Sequence, residues 1–239
     1  MSAKPAELAE KRLVVALLEG VYPPGGALPG ERDLAVQLGV TRPTMREALQ
    51  RLSRDGWLLI QQGKPTIVND FWRDGGLNVL GALANHREHL SPQFITNLLE
   101  VRLDLAPSYA RLATLIDPAA ALELLAAWPE LDETAEAYAD FDWQVHRALT
   151  SASANPIYSL ILNGFASLAA VLALYYFSFP AGRAASRDYY AALEAAIRAG
   201  DPATAEAVTR AAMRRSLELW AAQVALDPQT DPLTQPYKG

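Results

Sequence analysis

The chain of 239 residues contains no cysteine, which excludes disulfide staples and zinc fingers built on thiolates. It has three histidines, His86, His89 and His146, so there is little material for a metal centre. Nucleophile motifs are missing as well. There is no Gly-x-Ser-x-Gly elbow, no thiol, and no histidine paired with a serine in a hydrolase motif, so a thioesterase or acyltransferase finds no support and the chain reads as a non-enzyme. An apolar signal core is absent at the start, where Met1-Ser2-Ala3-Lys4-Pro5 leads into a charged amphipathic helix; the expectation is a cytoplasmic protein. After Val68 no strand pattern competes with helical periodicity.

What is present begins with Leu28 to Leu49, which reads as a helix, a tight turn and a second helix carrying arginines, the layout of a DNA-reading helix-turn-helix. Leu34, Ala35 and Leu38 give the first helix an apolar side. Gly39 follows where the chain must reverse, because glycine takes left-handed dihedrals without a Cβ penalty. Thr41 is an N-cap for the second helix, and Pro43 in its first turn sacrifices only an amide that lacks an intrahelical partner. Met45, Ala48, Leu49 and Leu52 recur at helical spacing as one buried stripe. Arg42 and Arg46, four apart, share another side, and an arginine can bond a guanine edge through two donors or clamp a phosphate.

Trp57 to Ile60 then reads as a strand, Gln61-Gln62-Gly63-Lys64-Pro65 as a turn, and Thr66 to Val68 as the returning strand, so the helices carry a wing. Taken singly, Arg42, Arg46, Arg51, Arg54 and Lys64 describe no more than a solvated face. Turn, cap, stripe and wing in one run point instead to double-stranded DNA, with Lys64 near a phosphate or a minor groove. The net charge of -6 opposes this only at first sight. Through Arg73, ten basic residues face eight acidic ones, and from Thr41 to Lys64 five face two, while the remainder carries 11 basic and 19 acidic. A local cationic surface on an acidic body suits specific binding and discourages indiscriminate attachment.

Turn residues from Asn69 to Asn78 separate this region from a second one. Helical segments are expected near 79–86, 92–115, 119–128, 130–153, 156–177, 182–199 and 202–226. No charged residue occurs from Ala148 to Gly182, and 156–177 is long enough to span a bilayer. Ser159, Asn163, Gly164 and Ser167 interrupt it and no basic cluster flanks it, so it is read as the buried centre of a bundle with no membrane partner. Such a helix, ending in Tyr175-Tyr176-Phe177, serves either as packed core or as the wall of a cavity.

The Leu-Pro, Glu-Arg, Leu-Ala, Leu-Gly-Val and Arg-x-Thr-x-Arg-x-Ala-Leu elements of the first region resemble the GntR family of bacterial transcription regulators. Arg51 to Trp57, Gly63 to Thr66, Val68-Asn69, Phe71-Trp72, Asn155 to Tyr158 and Leu160 to Gly164 resemble its FadR subgroup, so the resemblance covers both regions. It implies DNA contacts from Arg32, Thr41, Arg42, Thr44, Arg46, Gln62, Gly63 and Lys64. Pro43 and Gln62 depart from the subgroup, which has threonine and histidine there, and an altered operator is expected.

The resemblance further implies a homodimer on a near-palindromic operator, and a bundle that binds long-chain acyl-CoA as effector, with no cofactor. DNA release by that ligand would repress or activate genes of fatty acid degradation and biosynthesis. The implied ligand contacts are Arg102, Tyr176, Met213, Ser216 and Trp220. Met213 stands where the subgroup has glycine and Ala212 where it has tyrosine, so the pocket is expected to be reshaped or blocked. Other relatives hold a metal through one aspartate and three histidines and sense small carboxylates. Asp142 and His146 share a helix face as two such ligands would, but Tyr190 and Ser216 fall where the others belong, so His146 is read as a buried hydrogen-bonding residue and no metal is expected. A carboxylate remains the alternative effector.

The sequence thus predicts a mainly α protein. A winged helix-turn-helix DNA-binding domain occupies 1–72, a linker 73–82, an all-α antiparallel bundle of six or seven helices with ligand-binding and regulatory roles 83–228, and a C-terminal tail 229–239.

Overall fold

The computed structural model describes residues 5–83, 86, 90 and 92–226, without the side chains of Pro92 and Val224. The chain divides into two compact units, 1–89 and 90–239, each taken by itself below.

In the first unit, α1 (Pro5–Leu18) buries Ala6, Ala9, Leu13, Val14 and Leu17 and packs on α3 (Arg42–Arg54). Helix α2 (Glu31–Leu38) ends at Gly39, whose φ of 66° is the left-handed conformation the turn requires. The Thr44 amide donates to Thr41 Oγ1 at 3.3 Å, so α3 starts at the expected cap, and Met45, Ala48, Leu49 and Leu52 form the buried stripe. The wing is a short antiparallel pair, β1 (Leu58–Leu59) and β2 (Ile67–Val68), with Leu58 opposite Val68. These strands are shorter than the sequence suggested. The outer edge of β2 is completed by residues 25–28, where Gly25 N–H donates to the Val68 carbonyl at 2.8 Å and Leu28 N–H to that of Thr66 at 2.8 Å. Trp57 is fully buried and its ring lies 4.7 Å from that of Phe71, which anchors the base of the wing.

The expected linker over 73–82 is not a bare connection. Asp70 caps α4 (Phe71–Asp74) by accepting from the Arg73 amide at 3.3 Å, and α5 (Leu77–Leu83) follows after Gly75-Gly76. A cap beside aromatic residues suffices for one turn, and the glycines interrupt it without unwinding the next.

The second unit holds seven α-helices among its described residues: α6 (Pro92–Ile116), α7 (Pro118–Leu125), α8 (Ala135–Ala152), α9 (Pro156–Gly164), α10 (Ala166–Ser178), α11 (Pro180–Arg198) and α12 (Pro202–Leu226). Helix α12 runs along α6 and packs on α11, while α8 meets α6, α7 and α10. The core comprises Tyr109, Tyr138, Phe141, Val145, Leu149, Tyr190 and Leu193 with their neighbours. Helix α8 begins five residues later than expected because Thr134 caps it, accepting from Ala137 N–H at 3.2 Å.

The largest departure concerns 156–177. The run is two helices bent by 68° at Phe165, and among the described residues no single helix is long and apolar enough to cross a membrane. Asn163 and Gly164, weak helix formers, sit at the break. Nor is the whole run a buried centre: α9 has no fully buried residue, with Ile157 and Leu160 exposed, whereas α10 buries Leu168, Leu172 and Phe177.

Candidate nucleic-acid interface and effector cavity

Helix α3 and the wing present the first set of candidate residues. Arg32, Thr41, Arg42, Arg46, Gln62, Gly63 and Lys64 are exposed and Thr44 is half-buried. Thr41 and Thr44 are joined through their hydroxyls at 2.8 Å, so both also serve the cap. At the wing tip Gly63 has φ 73° and Lys64 N–H donates to the Gln61 carbonyl at 3.2 Å, which closes the turn and projects Lys64 from its end.

Ion pairs sort the cations of this unit by role. Arg51 bonds Glu47 at 2.6 Å and faces Glu10 at 3.7 Å, and Arg54 lies against Asp55 at 3.2 Å. These two brace the C-terminal end of α3. Arg32, Arg42 and Lys64 make no ion pair among the described residues, so their charge is available to a polyanion. Arg46 differs from both groups. Its Nε lies 3.1 Å from both carboxylate oxygens of Glu31, its Nη2 donates to Oε2 at 2.8 Å, and its side chain is still 60% exposed. Hydrogen bonding by Arg46 holds the Glu31 carboxyl below its usual range. Nothing in the local spacing of Glu31 and Arg46 announces this pair, which spans the turn.

In the second unit a cavity of about 400 Å³ opens between α6, α8, α9, α10 and α12. Leu98, Leu105, Ile161, Leu162, Phe165 and Ala169 form apolar wall, which explains why these residues of α9 are not closed off as core. Arg102, Tyr176, Ser216 and Trp220 all line it. Met213 does not. It is buried in the bundle core and borders a separate void of about 10 Å³, room for about one water at most. Ser216 Oγ donates to the Ala212 carbonyl at 3.0 Å, and the Trp220 ring meets Tyr175 edge-on at 5.3 Å. Tyr176 lines the cavity with Ser216, and burial raises its phenol above the usual value.

One wall of the cavity is polar. Arg102 Nη2 lies 2.6 Å from Asp142 Oδ2 and 2.6 Å from His146 Nε2, Tyr190 OH donates to Asp142 Oδ1 at 3.2 Å, and Tyr109 OH is 2.6 Å from His146 Nδ1. Burial and the adjacent Arg102 charge push His146 down to about 4, so its ring is neutral. Burial alone would raise Asp142, but the Arg102 charge and the hydrogen bonds from Arg102 and Tyr190 hold it below its usual range. Burial opposes the charge on Arg102, and Asp142 outweighs this and keeps its pKa raised.

These contacts determine the His146 tautomer. Arginine can only donate, so Nε2 must accept, and a neutral ring then carries its proton on Nδ1. That proton goes to the Tyr109 oxygen, leaving the Tyr109 hydroxyl hydrogen for a partner in the cavity. The Asp142 and His146 pair does not fit a metal. Among the described residues no three histidine or acidic side chains gather, Tyr190 and Ser216 cannot replace histidines, and the Arg102 cation stands between the two candidate ligands. Sequence reasoning singled out Arg102 but missed Tyr109, whose spacing of seven from Arg102 on one helix was the available signal.

Comparison with known proteins also distinguishes two parts of the chain. Residues 5–68 match the bacterial regulatory proteins of the gntR family, and residues 69–229 match the FadR C-terminal domain. The chain is 44% identical over 216 residues to the fatty acid metabolism regulator protein of Cronobacter sakazakii, covering 90% of each chain. It is 46% identical over 190 residues to that of Shewanella pealeana, covering 80% of each. Among solved structures, the Listeria monocytogenes regulator Lar, titled as controlling expression of the agr system, aligns over 93% of this chain and 99% of its own at 15% identity, with a TM-score of 0.56; at that identity it speaks for the fold alone.

Proposed function

The chain belongs to the GntR family of bacterial regulatory proteins and carries a FadR C-terminal domain, and from this premise we propose a cytoplasmic, homodimeric transcription factor whose DNA affinity is set by long-chain acyl-CoA. Each protomer would place α3 in a major groove and Lys64 at the flanking minor groove, and the two-fold axis of the dimer would be mirrored in a near-palindromic operator. The target genes would be those of fatty acid degradation and biosynthesis, as the name of its relatives suggests.

The observation that carries the effector assignment is the shape of the cavity's chemistry. Its volume of about 400 Å³ falls in the range of small-molecule sites, roughly 300–1,000 Å³. Its wall is mostly apolar, with Arg102, Tyr109, Tyr176 and Ser216 among its hydrogen-bonding groups and Glu136 and Asp140 also on its lining. That suits a ligand with a long apolar tail and a polar thioester end. Met213 stays outside this cavity, so its size does not oppose entry. For such a ligand to release DNA, it must bind the DNA-free form more tightly, and DNA must weaken the ligand by the same factor.

Calorimetric titration with palmitoyl-CoA tests the proposal, with free coenzyme A and citrate plus a divalent cation as comparisons. Binding of the acyl thioester alone, reduced when DNA is bound, is the expected result. Arg102 at the cavity wall is also what a small carboxylate effector would require, and a response to citrate in place of palmitoyl-CoA would transfer the assignment to that class.

A further inference from the structure

Glu31 is the first residue of α2, yet its carboxylate is spent on α3. Both oxygens accept from Arg46, whose Nε and Nη2 form a planar fork upon them, leaving Nη1 and the remaining Nη2 hydrogen directed away from the pair. Arg46 is therefore an exposed side chain that is already ordered. An arginine on a flexible stem must be immobilised at the moment of binding, whereas one held by a fork arrives in place. The carboxylate has a second effect. Lying beside Arg46, and near enough to Arg42 to feel its charge, it offsets cationic charge at the start of α3 and repels a phosphate that would otherwise capture Arg46.

We propose that Glu31 is a positioning residue that sets the specificity of the recognition helix, holding Arg46 for a base edge and withholding it from the DNA backbone. This rests on α3 being the helix that enters DNA. Free of Glu31, Arg46 would gain mobility and reach for phosphate, so the two kinds of DNA affinity should move in opposite directions. A loss of folding would move them together.

The experiment uses the full-length protein with Glu31→Ala, Glu31→Gln and Glu31→Asp. Affinity is measured for a duplex selected by the wild type from a random-sequence pool, and for a duplex of unrelated sequence, across a salt series, with melting temperatures as a check on folding. Glu31→Ala and Glu31→Gln are expected to bind the selected duplex about tenfold more weakly, at the low end of what a bidentate base contact contributes. On the unrelated duplex they should bind more tightly, with a salt slope steeper by about 0.9, one more phosphate contact. Glu31→Asp, which keeps the carboxylate, should recover part of the selectivity. Equal loss on both duplexes, or no change on either, overturns the proposal. Failure of the wild type to select any sequence would overturn the DNA-binding assignment itself, and this inference with it.

Discussion

His146 makes the stability of the bundle depend on pH in a way that one substitution should abolish. The ring is 2% exposed, accepts from Arg102 and is held neutral, with its pKa pushed from 6.5 down to about 4. The unfolded chain then binds more protons than the folded one between those values, so stability rises with pH across this window. The contribution is fully present above about pH 6.5 and is lost as pH falls toward 4. A depression of this size corresponds to about 3 kcal/mol at the acid end, at roughly 1.4 kcal/mol per pH unit, and about 2 kcal/mol of it is already gone at pH 5. Glutamine at this position keeps an acceptor for Arg102 and cannot titrate. Urea unfolding of wild type and His146→Gln, followed by circular dichroism at pH 7.5 and 5.0, isolates the effect because every other titrating group is common to both. Wild type should lose about 2 kcal/mol more than the variant between the two pH values. An equal pH dependence, or a His146 ring that titrates near 6.5 by NMR, refutes the account.

Arg46→Ala should abolish specific operator binding while leaving dimer formation and palmitoyl-CoA binding intact; unchanged operator affinity in a gel-shift titration would remove Arg46 from the recognition surface. Asp142→Ala strands a guanidinium against a neutral histidine. Because the Arg102 side chain keeps 32% exposure, the cost should lie near the lower end for a broken buried pair, about 3 kcal/mol, seen as a melting temperature lower by roughly 6–12 °C for a domain of this size. Ala169→Phe fills apolar wall in the cavity and should block palmitoyl-CoA binding and render DNA binding insensitive to it; a calorimetric isotherm like that of the wild type would place the ligand elsewhere. Tyr109→Phe removes the hydroxyl hydrogen left over for the cavity, so palmitoyl-CoA should bind about fivefold more weakly, the scale of one hydrogen bond, and no change in affinity would show that the ligand takes no bond from Tyr109.

Sequence by itself determined the winged helix-turn-helix, because its signals are local. A threonine cap, a left-handed glycine, a stripe at 3.6-residue period and a glycine-tipped turn act within a few residues of each other. The start of α12 is equally local: Asp201 stands just before Pro202 and accepts from Thr204 N–H at 3.0 Å. Tertiary structure decided everything that depends on which surfaces meet. Residues 25–28 came to pair along the outer side of β2, whose open edge needed hydrogen-bond partners. An apolar run that looked like one buried helix was bent at Phe165 and left partly open as cavity wall. Arg102 met Asp142 across 40 residues, and Glu31 met Arg46 across 15. Periodicity tells which face of a helix is apolar, but not whether its neighbours close over that face or leave space there, nor which distant charge comes to rest beside it.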